Sequence, residues 1–309
     1  MKHYLSPIAL CLVLISASGA VGAKAWSEGW IFSPSAGISN PALGDIYQYV
    51  FNAPFIGKAT IQTDAPQDST GEVTFPSQKF FFENPLPRSG FKPEGGLEFR
   101  RVFGGQHDFI VGVSTWETVS KSVTNVVFPI EGQSLNEAIY ERRGTFSYTQ
   151  YYLGWRFYLG ERTRRFNLYL GTSLHELFDI DYKENHVFDF ISGEPAGFKK
   201  IVIYRTQATG LLSTQLTGGA EFRFTDRFSA SFEASYMFRL LGGAFRNVSG
   251  ESDISENADR VEFEINKQVI YRNPLTGKVE ALSPDGESHN PIKLDLDGWR
   301  FMFRFNVAF

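Results

Sequence analysis

Ten charged residues sit at alternating positions within segments that are otherwise apolar or small: Glu94, Glu98, Arg100, Arg156, Glu221, Arg223, Glu233, Arg239, Arg300 and Arg304. At that spacing they share the polar face of strands. Four acids against six bases can pair into an ion network that fills an interior, or they can line a narrow or gated pore. Either way they carry a basic excess of two. Acid–base catalysis has thinner support. His175 lies near Ser173, Glu176 and Asp179, but Ser173 and His175 share a strand face at ordinary spacing, which a satisfied interior histidine explains better. His107 falls in a turn, His186 and His289 fall towards the loops, and no catalytic residue is assigned. Asp295 and Asp297 before Gly298 resemble the start of a calcium loop whose remaining ligand positions are missing. No metal or cofactor site is assigned.

The elements that must position these charges are strands with an inverted face pattern. In the final stretch Trp299, Phe301, Phe303, Phe305, Val307 and Phe309 occupy every second position, while Arg300, Met302, Arg304, Asn306 and Ala308 fill the gaps. The apolar row is continuous and the opposite row is polar, so this strand faces hydrocarbon on one side and a polar interior on the other. The pattern recurs in 29–39, 91–103, 107–121, 143–159, 165–182, 212–224 and 228–240. A proline cannot donate to a ladder, so Pro34 predicts a bulge in the first of these.

A terminal strand of alternating aromatics that ends on Phe309 resembles the signature of bacterial outer membrane β-barrel proteins. The overall plan resembles the small barrels related to the transmembrane domain of outer membrane protein A. The resemblance implies an all-β fold, a closed antiparallel transmembrane β-barrel in the outer membrane of a Gram-negative cell. It implies that the barrel assembly machinery reads the six aromatic and apolar positions from Trp299 to Phe309. It also implies outer membrane lipid and lipopolysaccharide as surroundings, and an interior network of carboxylates and arginines.

The remainder of the chain fits that expectation. Lys2 and His3 precede an apolar run from Ile8 to Ile15 and a cleavage-like Val21-Gly22-Ala23, with a second option after Ala25. This reads as a secretory signal peptide over 1–23, leaving a barrel domain over 24–309, and the only cysteine, Cys11, lies inside the leader. A charged fraction of 21% excludes a bundle of membrane helices, whereas 16% aromatic residues suit aromatic girdles. A net charge of -4 gives no reason to expect nucleic acid.

Three short turns, near residues 104, 161 and 226, imply eight strands when both termini lie in the periplasm. The long polar connections at 40–88, 122–142, 183–200 and 246–292 then lie outside the cell. Ten strands remain open, because Tyr47, Tyr49, Phe51, Ala53, Phe55 and Ala59 also alternate and Asp64 to Gly71 could turn. Pro54 and Pro76 would then fall inside the added strands, which favours eight. In the last connection, Arg260 to Arg272 and Lys278 to Leu282 predict a hairpin around Asn273–Gly277. Three functions stay open: a structural or surface-interaction role through the loops with an unknown external ligand, a small pore, and, more distantly, a lipid-modifying enzyme.

Overall fold

The computed structural model of the chain describes residues 28–44, 46–51, 55–61, 77–88, 90–128, 136–160, 162, 165–193, 196–197, 199–208, 210–242, 245–253, 261–264, 270–272, 279–282, 289–291 and 294–309. The leader, the turn at Asp64–Gly71 and the turn at Asn273–Gly277 lie outside the described residues.

Eight strands form a ring: β1 (Trp30–Pro41), β2 (Lys92–Phe103), β3 (His107–Phe128), β4 (Asn136–Tyr158), β5 (Phe166–Phe190), β6 (Leu211–Arg223), β7 (Phe228–Gly242) and β8 (Gly298–Ala308). Each pairs antiparallel with its neighbours in sequence, and β1 pairs with β8, so the hydrogen bonding returns to its start. The termini finish the closure: the Trp30 and Phe309 backbones exchange N–H···O bonds of 3.1 and 2.9 Å. The chain forms an eight-stranded antiparallel barrel. Only such a ring carries strands through lipid with every backbone group paired. Outward rows such as Tyr151, Leu153, Trp155 and Phe157 of β4 are exposed large apolar side chains. They turn polar at Thr115, Thr149 and Glu176, which marks the outer edge of the apolar belt.

Tight turns join the strands at one end. Gly104 and Gly105 adopt φ of 57° and 69° between β2 and β3, a left-handed conformation that costs glycine nothing. Pro34 causes no bulge: β1 keeps one register with β2 from Trp30 to Ser39. Only the pairing with β8 is interrupted, at Ser33 and Pro34, because the missing N–H would have pointed to that side.

Two predicted loops turn out to be largely strand. The β3–β4 hairpin continues to Phe128 and Asn136, so most of 122–142 is sheet. β5 runs on to Phe190, through an irregularity where Asp179 takes φ of 49°. Beyond that point β5 leaves β6 and pairs with the strand Lys199–Ala208, which pairs in turn with Phe245–Asp253. These segments alternate too, but with charges on one face and aromatics on the other, which reads as loop when only a lipid-facing row is sought.

The ten-strand alternative fails. Residues Ile46–Phe51 form a π-helix, and Phe55–Ile61 and Ser77–Phe82 pair with each other and with Val261–Glu264, apart from the ring. Of the hairpin expected in the last connection, Ile270–Arg272 does pair with Val279–Leu282, whereas Val261–Glu264 pairs elsewhere.

Candidate functional site

The inward rows of the ring meet in the lumen, where the charged side chains stack in tiers. Nearest the short turns, Arg100 donates to Asp108 and to the Tyr158 hydroxyl, both at 3.1 Å. Arg162, which enters from the β4–β5 turn, donates to Asp108 at 2.8 Å and to Glu221 at 2.7 Å. Its guanidinium lies 4.1 Å above the Tyr158 ring, a cation–π contact. Tyr158 and Ser229 also donate to Glu221, at 2.5 and 3.0 Å. Ser33 and Asn306 complete the tier.

In the middle tier, Arg156 bridges Glu233 at 2.7 Å and Glu98 at 3.3 Å. Arg304 pairs with the same two acids, reaching Glu98 at 3.2 Å. Tyr169 donates to Glu233 at 3.0 Å and Tyr152 to Glu98 at 3.2 Å. Two glycines make room for these rings. A Cβ at Gly112 would come within 2.2 Å of the Tyr152 ring, and one at Gly219 within 2.4 Å of the Tyr169 ring.

The third tier belongs to Glu94. Arg300 grips it with Nε at 2.9 Å and also with Nη2, a two-pronged pairing. Ser114 and Gln150 donate to the same carboxylate at 2.7 and 2.9 Å. The Gln150 Nε2 must face Glu94, which only accepts, so its Oε1 faces His175 Nδ1 at 3.0 Å and accepts from it. His175 Nε2 is then the acceptor for Ser173 Oγ at 2.7 Å. This is the contact of a serine with its base, but the orienting group is an amide with no charge to stabilise an imidazolium. The adjoining cavity holds about 20 Å³, room for about one water and not for an acyl group. Ser173, His175, Gln150 and Glu94 form one hydrogen-bond chain.

An apolar cap closes the lumen above Glu94. Trp116 and Tyr148 stack at 5.4 Å, and Phe146, Leu177, Ile180, Leu211 and Met237 of the ring pack with them. Three loop segments fill the centre, through Leu43, Ile46 and Phe51, through Leu86, and through Leu294 and Leu296. Arg142 pins two of these segments, donating to the carbonyls of Phe51 at 3.0 Å and Asn84 at 3.1 Å while its Nε meets Glu184. This peg stands beyond Asp179, outside the belt. There, burial pushes the Glu184 carboxyl up, but Arg142 and then His186 more than offset it and hold it at about 2. Burial lowers His186 against the opposing pull of Glu184.

Eight of the ten residues singled out in the sequence lie in this network, and two do not. Arg223 is half-buried at the short-turn rim, where it donates to the Arg162 carbonyl. Arg239 is exposed at the opposite rim, beside a register shift of β7, and donates to the Leu294 carbonyl at 2.9 Å. Its parity is inward, but the pairing of β7 with β8 has ended at Met237 by that point, while that with β6 continues to Gly242. Two members were missed. Asp108 shares the inward parity of Ile110 and Ser114 and could have been found, whereas Arg162 sits in a turn that no periodicity reaches. With these exchanges the charge balance changes: five carboxylates face five guanidiniums among the described residues, and the basic excess disappears. Asp295 and Asp297 serve the backbone, accepting from the N–H of Asp297 at 3.1 Å and of Arg239 at 2.5 Å.

The aromatic and apolar positions expected to serve as an assembly signal, Trp299, Phe301, Phe303, Phe305 and Val307, all lie on the outward row of β8, with Phe309 directly after it.

No protein-family model matches the chain, and no curated protein matches it. Similar solved structures include the outer membrane protein OprG from Pseudomonas aeruginosa, at 12% identity over 92% of this chain and 96% of that one, with a TM-score of 0.37. The outer membrane protease OmpT from Escherichia coli matches at 10% identity over 92% and 97%, with a TM-score of 0.32. A Pseudomonas aeruginosa FadL homologue matches at 8% identity over 91% and 90%, with a TM-score of 0.18.

Proposed function

We propose that this chain is a non-conducting anchor in the outer membrane, whose work is done by the sheet and loops it carries on the cell surface. The observation that carries this reading is the filling of the lumen. Three tiers of paired charge stand in the lumen beneath an apolar cap, and an eight-stranded ring is only wide enough to be filled by side chains. Among the described residues, the largest feature outside the belt is the extension of β3, β4 and β5 with its two added strands. On this reading the leader over 1–23 is removed on export, and the short turns face the periplasm. The assembly machinery engages the outward row of β8, and lipopolysaccharide surrounds the ring.

Planar-bilayer recordings of the refolded full chain test it, with baseline current as the expected result. Discrete, reproducible conductance steps from folded protein would instead support the small-channel reading. Protease added to intact cells tests the orientation and is expected to cut within residues 246–292 and to spare the turns near 104, 161 and 226.

A further inference from the structure

Beyond the apolar belt, the sheet of β3, β4, β5, Lys199–Ala208 and Phe245–Asp253 ends in two edges. One is Phe245–Asp253, which carries Arg246, Glu251 and Asp253 and a register shift between Phe245 and Asn247. Charges and bulges of that kind keep sheet edges from pairing with one another. The other edge, on β3, lacks them. β2 is last in register with β3 where Glu94 faces Trp116, and among the described residues Val119–Val127 has no ladder partner on that side.

This nine-residue edge is regular, since its pairing with β4 runs unbroken from His107 to Phe128. Five of the nine residues are β-branched and none is proline. The one charge, Lys121, is already met by Glu141 at 2.8 Å. Lys121, Val123, Asn125 and Val127 are exposed on one face, and Ser122 and Thr124 are only half-buried on the other, where Ser120 and Val126 are buried. A long edge with so little charge is a template for another strand.

The edge is complementary to its own copy. When it meets itself antiparallel about Val123, Val119 stands opposite Val127, Lys121 opposite Asn125 and Val123 opposite Val123. Like charges then never face each other across the seam, and valine pairs recur along one row. A register centred on Lys121 would set lysine against lysine.

Symmetry decides where the copy must come from. The two-fold axis that joins two such edges antiparallel is normal to the sheet. Because the sheet continues the barrel wall, that axis lies near the membrane plane, and the second copy points the opposite way. Two copies in one membrane would instead be related by an axis along the membrane normal. Their edges would run parallel and cross at about twice the strand tilt of about 40°, whereas neighbouring strands differ by only about 20–25°. Val123 lies eight residues beyond Thr115 at the belt edge, roughly 20 Å above the hydrocarbon. Paired copies would hold two hydrocarbon surfaces about 40 Å apart, which leaves room for both sets of head groups.

We propose that Val119–Val127 pairs antiparallel with the same segment of a second copy on a facing membrane, so that the chain makes a homophilic contact between membranes. This rests on the surface-interaction reading above and on its orientation, and not on the absence of conduction.

The test uses the refolded full chain in two sets of phospholipid vesicles, one with a donor dye and one with an acceptor, and follows their clustering by energy transfer. Cleavage by added protease within 246–292 verifies that chains face outwards, and heat-modifiable migration verifies folding. Vesicles with the unaltered chain should cluster, because many weak pairs act together. Val123→Lys or Val123→Glu sets like charges against each other at the axis, and either alone should cluster at least about tenfold more slowly. Mixing Val123→Lys vesicles with Val123→Glu vesicles should restore clustering to within about twofold, since opposite charges then meet. Val187→Lys adds the same charge to the same row, two strands in from the edge, and should change clustering by less than about twofold. Clustering of Val123→Lys vesicles should also recover at about 1 M salt, which carries the test if Val123→Glu, opposite Glu141, fails to fold.

Unaltered vesicles that stay apart would overturn the proposal, as would undiminished clustering of folded Val123→Lys or an equal loss in Val187→Lys. Mixed vesicles no better than either variant alone would overturn it too. Conductance takes no part in the readout: a conducting barrel that still clustered through Val123 would sink the anchor reading alone, and a silent barrel whose vesicles stay apart would sink this inference alone.

Discussion

Arg300 and Arg304 lie four residues apart on one strand face, yet their removal should differ in cost because their carboxylates are differently supplied. Glu94 has Arg300 as its one cation among the described residues; Ser114 and Gln150 contribute only neutral donors. Replacing Arg300 with methionine, which keeps much of the side-chain stem, therefore strands a buried carboxylate. Glu98 and Glu233, by contrast, both retain Arg156 when Arg304 is removed, Glu98 also retains Arg100 at 3.4 Å, and Glu233 retains Tyr169. Removing one partner of a buried pair costs about 3–5 kcal/mol, so Arg300→Met belongs near 5 and Arg304→Met near 3. The difference of about 2 kcal/mol is roughly 30-fold in the folding equilibrium. The charge-neutral double change Arg300→Met/Glu94→Leu should recover most of the loss, because apolar residues of similar volume often replace a buried ion pair without cost. Urea titration in lipid vesicles, followed by tryptophan fluorescence and heat-modifiable migration, measures all three. Conductance should stay at background in each, since the apolar cap above Glu94 is untouched. Equal losses in the two single variants, or losses below about 1 kcal/mol in both, would refute the tiered pairing described above.

Deleting Phe309 removes the closing backbone contact with Trp30 and the terminal aromatic, and replacing it with a charged residue removes the aromatic alone. Cell fractionation should then find secreted but poorly inserted protein, and normal amounts of heat-modifiable barrel would defeat the claim. Gly219→Ala drives a methyl group into the Tyr169 ring and should cost about 1–3 kcal/mol by urea titration. Gly95→Ala, which meets nothing within 4 Å, should be close to neutral. Glu184 is held at about 2 against an ordinary value of 4.5. Its contribution is therefore complete above about pH 4.5 and drains away as pH falls towards 2. Amide exchange in 138–147 and 180–190 should accelerate over that window, and Glu184→Gln should flatten the change.

Strand periodicity determined a great deal. The eight ring strands, their three tight turns and their inside–outside phase follow from alternation, since a side chain two residues on returns to the same face whatever the rest of the chain does. That one rule already placed Arg300 and Arg304 in the lumen and Phe301 and Phe303 in lipid. It also carried the eight-strand count, because Pro54 and Pro76 cannot serve central strands. What it could not decide was where a pattern stops meaning membrane. β3 and β4 continue well past the belt with alternation intact, β5 does so after its phase shifts by one residue near Asp179, and only pairing with Lys199–Ala208 shows that the upper part of β5 belongs to a sheet apart from the ring. Nor could it pair charges across the bore, since contacts such as Arg300 with Glu94 join residues 206 positions apart. The tertiary structure alone brought Arg162 in from a turn, sent Arg239 out at a rim, and folded Ile46–Phe51 into the cap. Each of these depends on where a chain end or loop comes to rest in space, and local spacing carries no record of that.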